Sequence, residues 1–214
     1  MPKSTDDLIA GLVDDLHPVR PLRQARGMLL AVLALIAGAL GMAGFWPIRT
    51  DLVAARPDGM FLLSASLFLV LGLASAWAVI DMARPAVGMR REGWGWTALM
   101  AATLPLAAAA LLAFELARGM PLAIDRDGLG CMRFGLGWSV LTFAALVWWL
   151  RRGAPVLPQR AGLLTGVAAG AAGIFAVSLY CPHNDLVHIG IWHGLTVVLA
   201  GLIGRIAVPR LIAW

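Results

Sequence analysis

The sequence predicts an all-α fold: a polytopic membrane bundle of six transmembrane helices with both termini cytoplasmic. Three observations carry this expectation. Of 214 residues, 60% are apolar and 14% charged, against roughly 45–50% and about 25% in soluble domains. Mean hydropathy is +0.82. The apolar residues gather into runs of about 20, the length that crosses about 30 Å of hydrocarbon as a helix. Disordered, collagenous and disulfide-framework classes are thereby excluded.

The expected spans are Gly27–Trp46, Gly59–Ile80, Trp94–Leu116, Gly135–Leu150, Ala161–Tyr180 and Ile189–Val208. Backbone groups must pair within lipid, which leaves helices or a closed barrel. Unbroken apolar runs, rather than alternating ten-residue ones, choose helices. The fourth run is short and is expected to recruit part of Cys131–Phe134. Pro105 interrupts the third span and reads as a kink, while Gly162, Gly166 and Gly170 form a small-residue face for close packing.

Orientation follows from the cations. With a cytoplasmic N-terminus, the inner segments hold Lys3, Arg20, Arg23, Arg26, Arg84, Arg90, Arg91, Arg151, Arg152, Arg160, Arg205 and Arg210, twelve in all. The outer loops hold five: Arg49, Arg56, Arg118, Arg126 and Arg133. The positive-inside rule then keeps both termini in the cytoplasm. Trp46, Trp138 and Trp192 mark the outer boundary, and Trp77, Trp94, Trp96, Trp148 and Trp149 the inner one, as interfacial rings do. The net charge of +5 is spread between spans, not gathered on one face, so no direct nucleic-acid binding is expected. The first apolar run is too long for a signal peptide, so none is expected. Residues 1–26 read as a cytoplasmic N-terminal segment, 27–208 as the six-helix transmembrane domain and 209–214 as a cytoplasmic tail.

Within residues 1–26 a short amphipathic helix is expected. Ser4, Thr5 or Asp6 caps it, Leu8, Ile9, Leu12, Val13 and Leu16 form one apolar stripe, and Pro18 ends it. So short a helix is marginal alone in water. Its stripe either packs on the bundle or docks in a hydrophobic groove of a cytoplasmic partner. Four aspartates on the polar side argue against a bilayer surface.

The two cysteines, Cys131 and Cys181, both fall at outer span ends. A structural disulfide is one reading, worth at most about 4 kcal/mol for a loop of about 50 residues. The other takes in the neighbours. Cys181 opens CPHNDLVHIGIWH, which holds His183, His188 and His193, three of the four histidines. Thiols and imidazoles suit soft or borderline ions. The spacing matches no zinc pattern, and on an α-helix residues five apart, such as His188 and His193, lie about 140° apart. Asp185 or Asn184 caps the sixth span after Pro182. These points favour an exposed thiol pair, responsive to oxidant or binding metal transiently through Cys131, Cys181, His183 and His188, over a permanent metal site or any resident cofactor. Phosphate-loop, GxSxG, HExxH and CxxC patterns are all missing, so no enzyme is expected.

Six short spans, an N-terminal DLIxxLxxDLxPVRPL-like segment, one cysteine before span four and the CPxxDxxHxxxWH stretch together resemble the NrsF family of bacterial inner-membrane anti-sigma factors. The resemblance implies a sequestered extracytoplasmic-function sigma factor as partner, and a transmembrane sensor whose Cys131 and Cys181 respond to metal or oxidant. It implies that Asp185, His188, Trp192 and His193, beside His183, form the sensor motif. Leu8 to Leu22, including Leu8, Ile9, Leu12, Val13, Leu16, Pro18 and Leu22, would dock the sigma factor, with inner loops 81–93 and 151–160 contributing. Two other classes stand against this. One is a small metal-handling transporter with Cys181, His183 and His188 at its entry. The other is a membrane oxidoreductase built on the thiol pair.

Overall fold

A computed structural model describes residues 4–14, 22–85, 94–119 and 127–213. Among these the chain is helical throughout, without strands. Short α1 (Thr5–Asp14) precedes α2 (Gln24–Phe45), a four-residue turn α3 (Thr50–Val53), α4 (Gly59–Met82), α5 (Trp94–Ala117), α6 (Gly128–Leu150) and α7 (Pro158–Ser178). The last span, Leu186–Leu211, comprises α8 (Leu186–His188), a π-turn at Ile189–His193 and α9 (Gly194–Leu211). Six of these helices are long and apolar enough to cross a membrane. The fourth does begin upstream, at Gly128, and so takes in Cys131–Phe134.

Local signals set the boundaries. Ser4 Oγ accepts the Asp7 N–H while Asp7 Oδ2 accepts the Ser4 N–H, a capping box that starts α1. Asp58 caps α4 by accepting from Met60 N and Phe61 N. Pro158 opens α7, where its missing N–H costs nothing.

Helix α7 is the axis of the bundle. Of its apolar window 89% is buried, against 17% in α2, and it packs against α9, α6, α4 and α2. Its small residues allow this: a Cβ on Gly166 would strike the Ala200 carbonyl, and one on Gly162 the Gly204 carbonyl. The expected small-residue face is therefore a backbone-to-backbone seam with α9. On α5, Pro105 lies against Gly194, at the end of the π-turn.

The outward faces of the spans are apolar: Leu33, Leu40, Leu63, Leu106, Val140 and Ile206 are all exposed. Water would leave that surface a very large apolar patch. One tryptophan departs from the expected interfacial belt: Trp149 is buried against Gly27 and Ile80 as a packing group. Trp192 is half-exposed and lays its indole over Gly128, at the start of α6. Of the apolar stripe of α1, the described side chains stay bare, with Ile9 52%, Leu12 63% and Val13 57% exposed, and no described residue of the bundle covers them. Leu16 and Pro18, the Leu8 side chain and loop residues 86–93 fall outside what is described. Leu22 is half-buried and packs on the core at the end of the bundle where α2 begins.

Candidate functional site

The site forms where α6 begins, α7 ends and the last span starts. Cys131 sits in the first turn of α6, and Cys181 follows the end of α7, where its N–H bonds to Val177 O. Their sulfurs are 3.6 Å apart, the Cys131 thiol donating to Cys181, and no disulfide joins them. They are also buried, at 7% and 1% exposure, packed with Met42, Ala176 and Val177 beneath Trp46, Phe134, Trp138 and Tyr180. The exposed thiol pair expected from sequence is thus a buried one, because aromatic side chains from α2 and α6 close over it.

The histidines differ more sharply from expectation. Asp185 is the N-cap, with its Oδ1 accepting the His188 N–H at 2.7 Å. His188 then points Nε2 to 3.4 Å from Cys181 Sγ. On a continuous α-helix His193 would face elsewhere, yet its ring centroid lies 5.2 Å from that of His188. The reason is the π-turn: Gly194 N–H bonds to Ile189 O, five residues back. Such a wide turn brings residues five apart to one side. Helix α5 fits this turn closely, with Gly190 against Ala108 and Leu104. Thr196 Oγ1 donates to the Trp192 carbonyl at 2.7 Å, alongside the turn.

Donor atoms of Cys131, Cys181, His188 and His193 therefore lie within 4.8 Å of one another, all buried. His193, not His183, completes the group around the thiols. His183 instead stacks on the outer side of His188 at 4.4 Å, and with Asp185 and His188 makes a second, more open cluster. Trp192 stays out of both, packed on Gly128. His193 is 2% exposed, and neither of its ring nitrogens has a hydrogen-bond partner.

Sequence reasoning missed Arg49, counting it only as an outer charge. Its guanidinium is buried, lies 4.4 Å over the Phe61 ring, and reaches across to the cysteine loop. Nη1 donates to Cys181 O at 2.9 Å and Nη2 to Asn184 Oδ1 at 2.8 Å, while Nε and Nη2 grip Asp51. Its own N–H bonds to Leu179 O. One arginine thus ties the turn between α2 and α4 to the segment between α7 and α8. The cue in the sequence was a lone arginine followed two residues later by an acid, in the Pro-bounded WPIRTD turn. A polar cleft of about 510 Å³, lined by Arg49, Asp51, Arg56, Asp58, Pro182 and Asn184 among others, opens beside this loop.

The pKa values of Asp51 and Cys181 both move. The Arg49 guanidinium, hydrogen-bonded to Asp51, lowers that carboxyl from 3.8 to about 2. The Cys131 hydrogen bond holds the Cys181 thiol well below the usual thiol range. Burial opposes that shift, and His188 and His193 reinforce it. A thiol so placed is primed as a thiolate, the form that binds metal and attacks oxidants.

Comparison with known proteins gives a consistent answer. The family model for NrsF, negative regulator of sigma F, matches residues 12–214. The anti-sigma-F factor NrsF of Caulobacter vibrioides (strain NA1000 / CB15N) is 31% identical over 216 residues, covering 98% of this chain and 99% of that protein. The probable anti-sigma-F factor NrsF of Azospira oryzae (strain ATCC BAA-33 / DSM 13638 / PS) is 29% identical over 221 residues, with 98% and 99% covered. No solved structure matches.

Proposed function

The chain belongs to the NrsF family of negative regulators of sigma F, and from that premise we propose that it is an inner-membrane anti-sigma factor that holds an extracytoplasmic-function sigma factor inactive until its Cys/His cluster is modified. The family match across residues 12–214 carries the reading. The apolar stripe of α1 supports it from the structure, because Ile9, Leu12 and Val13 offer an amphipathic face that no described part of the bundle covers. The family is regulatory rather than catalytic.

In this reading the six apolar helices lie in the cytoplasmic membrane. Both termini and α1 face the cytoplasm, and the Cys/His cluster faces outward. Oxidant or soft metal acts on Cys131 and Cys181, and the resulting change in the bundle weakens docking of α1 on the sigma factor. Because docking segment and thiols sit at opposite ends of a bundle about 30 Å thick, coupling requires two arrangements of the packed helices. The transporter reading gains no support from the span interiors. There Thr165 and Ser178 donate to carbonyls of their own helix.

The test is affinity purification of the tagged full-length protein from native membranes. A sigma factor is expected to co-purify, and to be lost when residues 1–22 are removed or when Ile9, Leu12 and Val13 are changed to aspartate. If the triple variant, at normal membrane abundance, retains the sigma factor in full, α1 is not the docking element. If no sigma factor co-purifies with the intact chain, the anti-sigma reading fails.

A further inference from the structure

We propose that Cys131, Cys181, His188 and His193 form a closed, four-coordinate site for one soft or borderline divalent ion of the zinc–cadmium kind. The inference rests on reading this cluster as the sensing element, and it names the ligand class that the element takes. Four donor atoms lie within 4.8 Å of one another. Tetrahedral bonds of about 2.3 Å to sulfur and about 2.0–2.1 Å to nitrogen place sulfur–sulfur edges at about 3.8 Å and sulfur–nitrogen edges at about 3.6 Å. The two edges seen directly are 3.6 Å, between the sulfurs, and 3.4 Å, from Cys181 to His188.

His193 supplies the independent argument. Beyond its electrostatic pull on the Cys181 sulfur, this buried imidazole has no hydrogen-bond partner at either nitrogen, a cost that a bound ion would offset. The π-turn is a second cost, because it gives up regular helix to swing that same residue into the cluster. Hydrogen bonds among the thiols and His188 need neither. A bound ion explains both.

Binding balances as one M²⁺ exchanged for the Cys131 thiol proton and for the proton that Cys181 shares with its imidazole neighbours, both released to water, so that two thiolates and two neutral imidazoles face the ion. Two thiolates then cancel the ion's charge, and a neutral centre is the one a buried site tolerates best. That favours a divalent ion over a monovalent one.

The test titrates Co²⁺, a coloured stand-in for zinc, into the reduced full-length protein in detergent. One ion per chain is expected, with the strong visible bands of tetrahedral cobalt and a sulfur charge-transfer band that Cys181→Ser diminishes. His193→Ala should weaken binding by about a hundredfold, at least as much as loss of an outer-shell partner costs a metal site, while His183→Ala changes it less than about threefold. His193→Cys should restore tight binding and strengthen the sulfur band, which separates a lost ligand from a misfolded helix. Pale six-coordinate spectra, or wild-type affinity in His193→Ala, would overturn the site. The titration contains no sigma factor, so the two readings can fail separately. A protein that frees sigma on oxidation yet takes up no cobalt loses only the metal site. One that binds cobalt tetrahedrally yet never frees sigma keeps the site and loses the sensor.

Discussion

Replacing Arg49 by alanine should unfasten the cysteine loop while leaving the thiols themselves in place. The two bonds that matter are those from Nη1 to Cys181 O and from Nη2 to Asn184 Oδ1. Each has a charged donor, a class worth about 1.5–3 kcal/mol, so losing both costs the closed loop about 3 kcal/mol at the lower bound. The grip on Asp51 is left out of this figure, since that carboxylate is solvated. At about 1.4 kcal/mol per decade, 3 kcal/mol raises the population of the open loop on the order of a hundredfold. Alkylation of Cys181 by a membrane-impermeant maleimide reads that population directly, because a thiol 1% exposed reacts only when the loop opens. Metal-free Arg49→Ala should therefore react on the order of a hundredfold faster than wild type, with Arg49→Lys in between. A change of less than about threefold would refute the claim that Arg49 holds the loop shut.

Three further perturbations separate the forces at work. Asp185→Ala removes the cap on the last span and should lower thermal stability by about 1 kcal/mol, while Asp185→Asn keeps the cap and should be nearly neutral; equal losses would mean that charge matters there instead. Gly166→Leu drives a side chain into the Ala200 carbonyl and should cost at least about 1–3 kcal/mol in detergent melts, whereas Gly137→Ala, with open space around it, should stay within about 0.5 kcal/mol. Asp51, lowered from 3.8 to about 2, contributes stability above its unfolded pKa that is lost as pH falls through the folded one. Protection of Cys181 from a disulfide-exchange reagent active in acid should thus persist at pH ~3.5 and fade towards pH ~2; fading already near pH ~4 would show the Arg49–Asp51 pair to be absent.

The spans could be read from the sequence because lipid length and backbone pairing leave little choice for apolar runs of this length. The glycine face of α7 was equally plain, since Gly162, Gly166 and Gly170 recur at the helical period. The site was legible only in its members. Cys131 and Cys181 could be paired from their span ends, but their burial depends on Trp46 and Phe134, which come from separate helices. His193 was misplaced because an α-helical period was applied across Ile189–His193, where the chain makes a π-turn seated on α5. Periodicity is a local rule, and here a contact with another helix overrides it. Arg49 was invisible for a related reason. Charge counting treats arginine as a topological marker, whereas this one is a buried fork whose acceptors, Cys181 O and Asn184 Oδ1, lie more than 130 residues away.

The same geometry limits how a change at the cluster can travel. From Leu186 to Leu211 the last span runs 26 residues, about 39 Å at about 1.5 Å each. Its contact with α7 is made by backbone against backbone at Gly162 and Gly204 and at Gly166 and Ala200. At those two points no side chain stands between the helices to repack, so a displacement there is not readily absorbed locally. Were the π-turn to tighten into α-helix, everything beyond it would turn by about 100° and shift by about 1.5 Å. That would carry Gly201 and Gly204 off the seam and bring side chains onto it. The seam therefore permits the present register or a wholly different one, and nothing between. A two-state element is what long-range coupling requires. The energy asked of it is small: about 1.4 kcal/mol of differential stability shifts a partner's affinity tenfold. Losing the glycine seam should cost more than that, so under the proposed function a signal would act on α9 through the π-turn rather than loosen the bundle. Gly204→Ala tests this, since its Cβ meets Gly162 O and the Gly166 backbone in the present register alone. If α9 switches register, the variant should favour the alternative state and release its partner without any stimulus. Uniform destabilisation with the partner still held would show that α9 has only one register.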